Sequence, residues 1–161
     1  MMPVWLKLDL DGVMCRLRLR GYEPVAGRDW WNSEWCCVTM ELRSNWLNYT
    51  IDSEVLLSSE VEQIRDAFGS LLHERVDGER GMMEFVEPDL TFRLYPSAEE
   101  PMAEMQIHID EQGMSANYVV LALDAQEVRC IWDYLRLITH QIDVQDASVV
   151  KMLEQGTLIH E

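Results

Sequence analysis

The sequence predicts an α+β fold: a twisted antiparallel sheet of about seven to eight short strands, opened by an N-terminal hairpin, with two packed helices and a short C-terminal helix. Three observations lead there. Short alternating apolar runs follow one another through turn-like links, which favours antiparallel pairing. Two longer segments carry apolar residues at helical spacing, each behind a capping box. The segments fall in the order strands, helix, strands, helix, tail.

The first element is the clearest. Val4, Leu6, Leu8 and Leu10 alternate with Trp5, Lys7 and Asp9, and Val13, Cys15, Leu17 and Leu19 alternate with Met14, Arg16 and Arg18. Asp11-Gly12 joins the two runs, a strong hairpin signal. A two-residue turn pairs Leu10 with Val13, Lys7 with Arg16 and Trp5 with Arg18. The last pair is a cation–π contact on the outer face. The Lys7–Arg16 pair sets like charges opposite each other, and Asp9 is the expected diagonal relief.

Residues 21–34 read as a loop. Strands are expected near 35–43 and 46–51 around a Ser44-Asn45 turn, with Cys36, Val38, Met40 and Leu42 on one face. A helix is expected over 59–76, with Ser59 as N-cap and Glu62 completing the box. Its apolar stripe is Val61, Ile64, Phe68, Leu71 and Leu72. Strands follow at 82–87 and 90–95, around Glu87-Pro88-Asp89, then at 103–110 and 115–123. In the third of these, Met105, Ile107 and Ile109 face in while Glu104, Gln106 and His108 face out. The second helix runs over 125–141, with Asp124 and Glu127 as its capping box. Val128, Ile131, Trp132, Leu135, Ile138 and Ile142 form its buried stripe. A tail helix over 147–155 ends at Gly156. The length fits one domain over 1–161, with 143–161 as a candidate appended tail helix.

Charge is distributed unevenly. Residues 1–50 balance, whereas residues 51–161 hold seven Lys/Arg against 23 Asp/Glu, which accounts for the net charge of −16. Such a molecule repels nucleic acid and anionic membranes and attracts basic proteins. No apolar run approaches the roughly 20 residues of a membrane span, and Met1–Lys7 lacks a signal-peptide pattern. The cytoplasm is the expected location. Cys15, Cys36, Cys37 and Cys130 match neither zinc nor redox spacing and read as reduced, mostly buried thiols.

Catalytic chemistry is hard to assemble. Leu8-Asp9-Leu10-Asp11-Gly12-Val13-Met14 looks like the first motif of haloacid dehalogenase-type phosphatases, with Asp9 as nucleophile and Asp11 as acid. That reaction needs further metal-binding carboxylates, a Lys and a parallel sheet, and the run after Gly12 alternates as a second strand instead. His108 and Asp110 share a strand face, but two ligands do not make a metal site. No nucleophile–base pair and no phosphate-binding glycine loop is present. Arg16, Arg18 and Arg20 form too small a basic row for nucleic-acid binding and read as a solvated strand face. The reading is therefore a non-catalytic binding protein with no cofactor and no metal. A small scaffold or ligand-binding module remains the other non-enzymatic alternative.

Three stretches resemble the WapI-type immunity proteins of bacterial polymorphic toxin systems. The first is Asp29-Trp30-Trp31-Asn32-Ser33-Glu34-Trp35, continuing through Cys36–Leu42 and Trp46 into the helix Glu60–Leu72. The second is Met83-Glu84-Phe85-Val86-Glu87-Pro88-Asp89-Leu90-Thr91-Phe92-Arg93-Leu94, with Asp89 where that family carries Asn. The third is Val119–Leu123 and the helix capped by Asp124. The family's closing Phe-Pro element is replaced here by Leu137–Ile142 and a longer tail.

The resemblance implies an inhibitor that binds one cognate toxin domain, with a basic nuclease as the kind of toxin an acidic inhibitor would cover. Expected contact residues are Glu99, Glu100, Glu104, Asp110 and Glu111, from charge and loop position, together with Trp30 and Trp31, since exposed Trp is enriched at hot spots. Glu87, Pro88, Asp89 and Leu90 are expected to be structural: the proline fixes a turn and the carboxylate satisfies backbone N–H groups.

Overall fold

Asp11 and Gly12 both adopt positive φ, 54° and 89°, the pairing a type I′ turn requires. They fold β1 (Val4–Leu10) onto β2 (Val13–Arg20) with Leu10 opposite Val13 and Lys7 opposite Arg16, the expected register. The Asp9 carboxylate caps this turn, accepting the Gly12 N–H at 3.0 Å. It is therefore Glu41, from the next strand, that neutralises Arg16 at 3.3 Å. The computed structural model describes residues 4–28, 33–73, 81–96, 101–109 and 117–160.

The chain continues through β3 (Trp35–Arg43) and β4 (Asn48–Leu57) into α1 (Ser58–His73). Next come β5 (Gly81–Met83), β6 (Leu90–Leu94), β7 (Ala103–His108) and β8 (Tyr118–Leu123). It ends with α2 (Ala125–Ile138), α3 (Ala147–Glu154) and β9 (Leu158–His160). The antiparallel α+β fold is as expected, with its strands divided between two sheets. One has the order β4-β3-β2-β1-β9 and the other β5-β6-β7-β8.

Alternation explains which faces meet. Cys36, Val38, Met40 and Leu42 point inward and are at most 1% exposed, as their spacing required. Leu90, Phe92, Met105, Ile107, Leu121 and Leu123 do the same in the four-stranded sheet. A small apolar void of about 30 Å³ marks where they converge, lined by Leu17, Val38, Ile64, Phe92, Met105 and Ile131. Both sheets and both long helices thus share one core. Ile109, expected to face in, lies just past β7 and is 36% exposed.

The start of α1 departs from its expected cap. The helix begins one residue earlier, and Ser33 and Glu34 supply acceptors to it: Ser59 N–H donates to Ser33 Oγ and Ser58 N–H to the Glu34 carbonyl. Glu62, freed from capping, takes hydrogen bonds from the Tyr22 hydroxyl and the Val25 N–H and ties the 21–25 loop to the helix. The α2 cap forms as read: Asp124 accepts from Glu127 N–H, and the Glu127 side chain accepts from Asp124 N–H.

The buried surface of α2 is wider than one stripe. It adds Cys130, Asp133, Tyr134 and Leu137, because the helix meets α1, α3, β1 and β8 together. Of the expected stripe, Trp132, Ile138 and Ile142 are only half-buried, and Ile142 lies beyond the helix end at Ile138. β9, not foreseen, pairs antiparallel with β1, setting Trp5 opposite Ile159.

Candidate partner-binding surface

The described residues present two outward sheet faces and one cluster of loops. On the five-stranded sheet, polar groups answer one another. Arg16 and Arg18 both lie over the Trp5 ring, 4.4 and 4.5 Å from its centroid. This leaves Trp5 only 6% exposed on a face expected to be open. Thr39 donates to Asp52 at 2.9 Å, Arg20 approaches Asp52 at 3.7 Å, and Glu41 pairs with both Arg16 and Arg43. The expected Trp5–Arg18 contact is present, and the arginine row is locked into side-chain pairs rather than left as a basic strip.

The four-stranded sheet is different. Its outward rows are Met82–Arg93–Glu104–Ala122, then Thr91–Gln106–Val120, then His108–Tyr118. Met82 is 47%, Tyr118 50% and Val120 41% exposed. His108 leans on Tyr118, ring centroids 5.7 Å apart. Glu104 stands in the middle of the first row, opposite Arg93, and accepts a hydrogen bond from the Tyr95 hydroxyl. Glu104 is the one expected contact residue whose position is described; Glu99, Glu100, Asp110, Glu111, Trp30 and Trp31 lie outside the described residues.

The loops converge on the first turn of α1. Glu60 is only 6% exposed, yet its carboxylate accepts two backbone N–H groups: Leu57 at 2.8 Å and Val86 at 2.9 Å. That second bond draws the chain out of the ladder, so the strand expected over 82–87 ends at Met83. Within the Glu87-Pro88-Asp89-Leu90 segment, Leu90 is buried, the Asp89 carbonyl accepts from His108 N–H at 3.0 Å, and Pro88 is exposed. Glu60 therefore anchors this loop, a role the sequence reading missed. The available signal was a Glu three residues beyond Leu57, the residue before the true helix start.

The aspartates of the phosphatase-like motif do not stand where that chemistry needs them. Asp9 pairs with Met14 across an antiparallel hairpin, and Asp11 occupies the turn itself. Neither sits at the end of a parallel strand, where the phosphatase motif places its aspartates. Among the described residues no three His, Cys, Asp or Glu side chains are grouped to hold a metal ion. Burial raises the thiol pKa of Cys15 to about 12 and pushes those of Cys36 and Cys130 up as well, so these sulfurs are held as thiols. All four cysteines are free. No helix among the described residues is long and apolar enough to cross a membrane.

No curated protein matches the chain. A family model does, that of the immunity protein WapI-like family, over residues 7–143. The match runs from the N-terminal hairpin to the end of α2 and includes both sheets apart from β9 and the first residues of β1. The chain belongs to the WapI-like immunity protein family, whose members protect against toxins.

Proposed function

We propose that this protein is a non-catalytic, cytoplasmic immunity protein that neutralises one cognate toxin domain by covering it, one to one. The observation that carries this reading is the family match across residues 7–143. The finer features rest on charge. With a net charge of −16, the molecule favours a basic toxin, such as a nuclease whose surface is built to hold phosphates. An acidic inhibitor occupies that surface directly, and its association is fast and weakened by salt. No third component enters this inhibition: it needs neither metal nor cofactor.

Co-expression with the toxin domain is the direct test. Cells carrying both are expected to survive, while cells carrying the toxin alone arrest. Full toxicity beside soluble, folded inhibitor would overturn the proposal. Toxin activity that returns as salt rises supports the electrostatic part, and salt-insensitive inhibition would remove it.

A further inference from the structure

We infer that the outward face of the four-stranded sheet, centred on Tyr118 and Val120, is the surface that receives the toxin, a basic protein domain with an apolar centre to its contact patch. The inference rests on the immunity reading above and adds the location and chemistry of the contact.

Three observations converge on this face. First, the two sheets treat their outward faces in opposite ways. The five-stranded sheet pairs Glu41 with Arg16 and Arg43 and covers Trp5 with two arginines. The four-stranded sheet leaves Tyr118 and Val120, neighbours on β8, 50% and 41% exposed, and Met82 47% exposed on β5 at its opposite edge. Apolar and aromatic side chains grouped on one sheet face mark contact surfaces, since a solvated face is otherwise polar.

Second, β8 is the outer strand of its sheet, and it carries Tyr118, Val120 and Ala122 outward in a single row. An edge strand with an apolar outer row is an aggregation hazard unless something covers it. The five-stranded sheet's outer strand β4 carries Asn48, Thr50, Asp52 and Glu54 instead.

Third, charge selects the occupant. From Leu94 to Val128 the chain contains seven acidic residues and neither Lys nor Arg. β7 and β8 lie wholly within that stretch. In the outward rows of the described strands the acid is Glu104 and the base is Arg93 beside it, while the sequence that carries the apolar pair is acidic and without Lys or Arg; such a stretch complements a basic protein and repels a second copy of this one. Tyr118 has the hallmarks of an anchor: aromatic, half-exposed, and held by its contact with His108.

The test uses the full chain and the toxin domain recovered with it from native host lysate, identified and then purified. Tyr118→Ala and Val120→Lys are compared with the wild type by calorimetric titration. Thr50→Lys on the five-stranded sheet is the control, and circular dichroism verifies that each variant is folded. Each of the first two variants is expected to weaken binding by about tenfold or more, and Thr50→Lys to leave it unchanged. Losses below about twofold for both, with wild-type binding intact, overturn this face and leave the immunity reading standing. A wild type that neither binds the domain nor protects cells removes the immunity reading, and the face falls with it. A wild-type dimer that Val120→Lys converts to monomer assigns the face to a second copy and overturns the proposal.

Discussion

The indole of Trp132 is seated on Gly69, with its Nε1 2.8 Å from the place a β-carbon would occupy there. α1 and α2 approach this closely only because residue 69 has no side chain. The indole cannot step aside easily: Arg136 lies 4.1 Å from its ring centroid, and the His73 ring packs edge-on at 5.1 Å. Gly69→Ala gains up to about 1 kcal/mol of helix propensity, but forcing a methyl into a filled site costs about 1–3 kcal/mol. A net destabilisation of about 1 kcal/mol is expected by urea unfolding. A Gly69→Ala variant more stable than the wild type would show that the contact is loose.

Tyr134 is expected to be worth more than its ring. The β1–β2 register runs from Leu10–Val13 to Leu6–Leu17, and the next hydrogen-bonded pair would be Val4 with Leu19. The Tyr134 hydroxyl is inserted there, donating to the Val4 carbonyl at 2.8 Å and accepting from Leu19 N–H at 3.1 Å. Tyr134→Phe leaves two buried backbone groups without this partner, a loss of about 1–3 kcal/mol. Faster amide exchange at Leu19 is the local signature. Unchanged exchange there would mean that the strands close on each other unaided.

Asp133 makes stability depend on pH. Burial is the largest influence and pushes its carboxyl up, Arg136 and Arg129 pull it down, and Asp146 pushes it up again. The folded value therefore lies above the unfolded one, near 3.9. Its contribution is fully present below that pH and is lost as pH rises through the folded value. Asp133→Asn, which keeps an oxygen for Arg136, is expected to gain on the wild type as pH rises above the unfolded carboxyl value. Parallel stability curves for the two proteins above that value would refute this.

Thiol accessibility gives a further check. Cys15, Cys36 and Cys130 are buried, whereas Cys37 is half-buried on the outer face, 3.4 Å from Arg20 Nη2. One thiol is expected to react with a disulfide reagent in the native protein, and the remaining three only at the rate of unfolding. Rapid reaction of two or more would contradict the burial of at least one of Cys15, Cys36 and Cys130.

What was legible in the sequence was local. The hairpin register followed from Asp11-Gly12, and the α2 cap from Asp124 and Glu127, because each signal lies within a few residues of its consequence. The cap of α1 was misread because two carboxylates three residues beyond different candidates competed. The acceptors that decided the matter, Ser33 and Glu34, come from 25 residues or so earlier in the chain. Tyr134 escaped notice because a single stripe describes a helix with one packed side, and α2 has more than one. For the candidate surface, Glu104 was read as outward and stands so. The exposure of Tyr118 and Val120 was not legible, since alternation within a largely apolar run does not say which face is covered.

The pairing of β1 with β9 brings Val4 to His160 and Leu6 to Leu158. None of the six residues in that ladder falls within the span matched by the family model. The other four strands of this sheet join through consecutive hairpins, so they assemble from near neighbours, whereas β9 must find its place across almost the whole described chain. Such distant closure carries the larger entropic cost, so β9 is expected to join last. Until β9 arrives, the outer edge of β1 stands open to other chains. Refolding is accordingly expected to show a slow final phase whose yield falls as protein concentration rises.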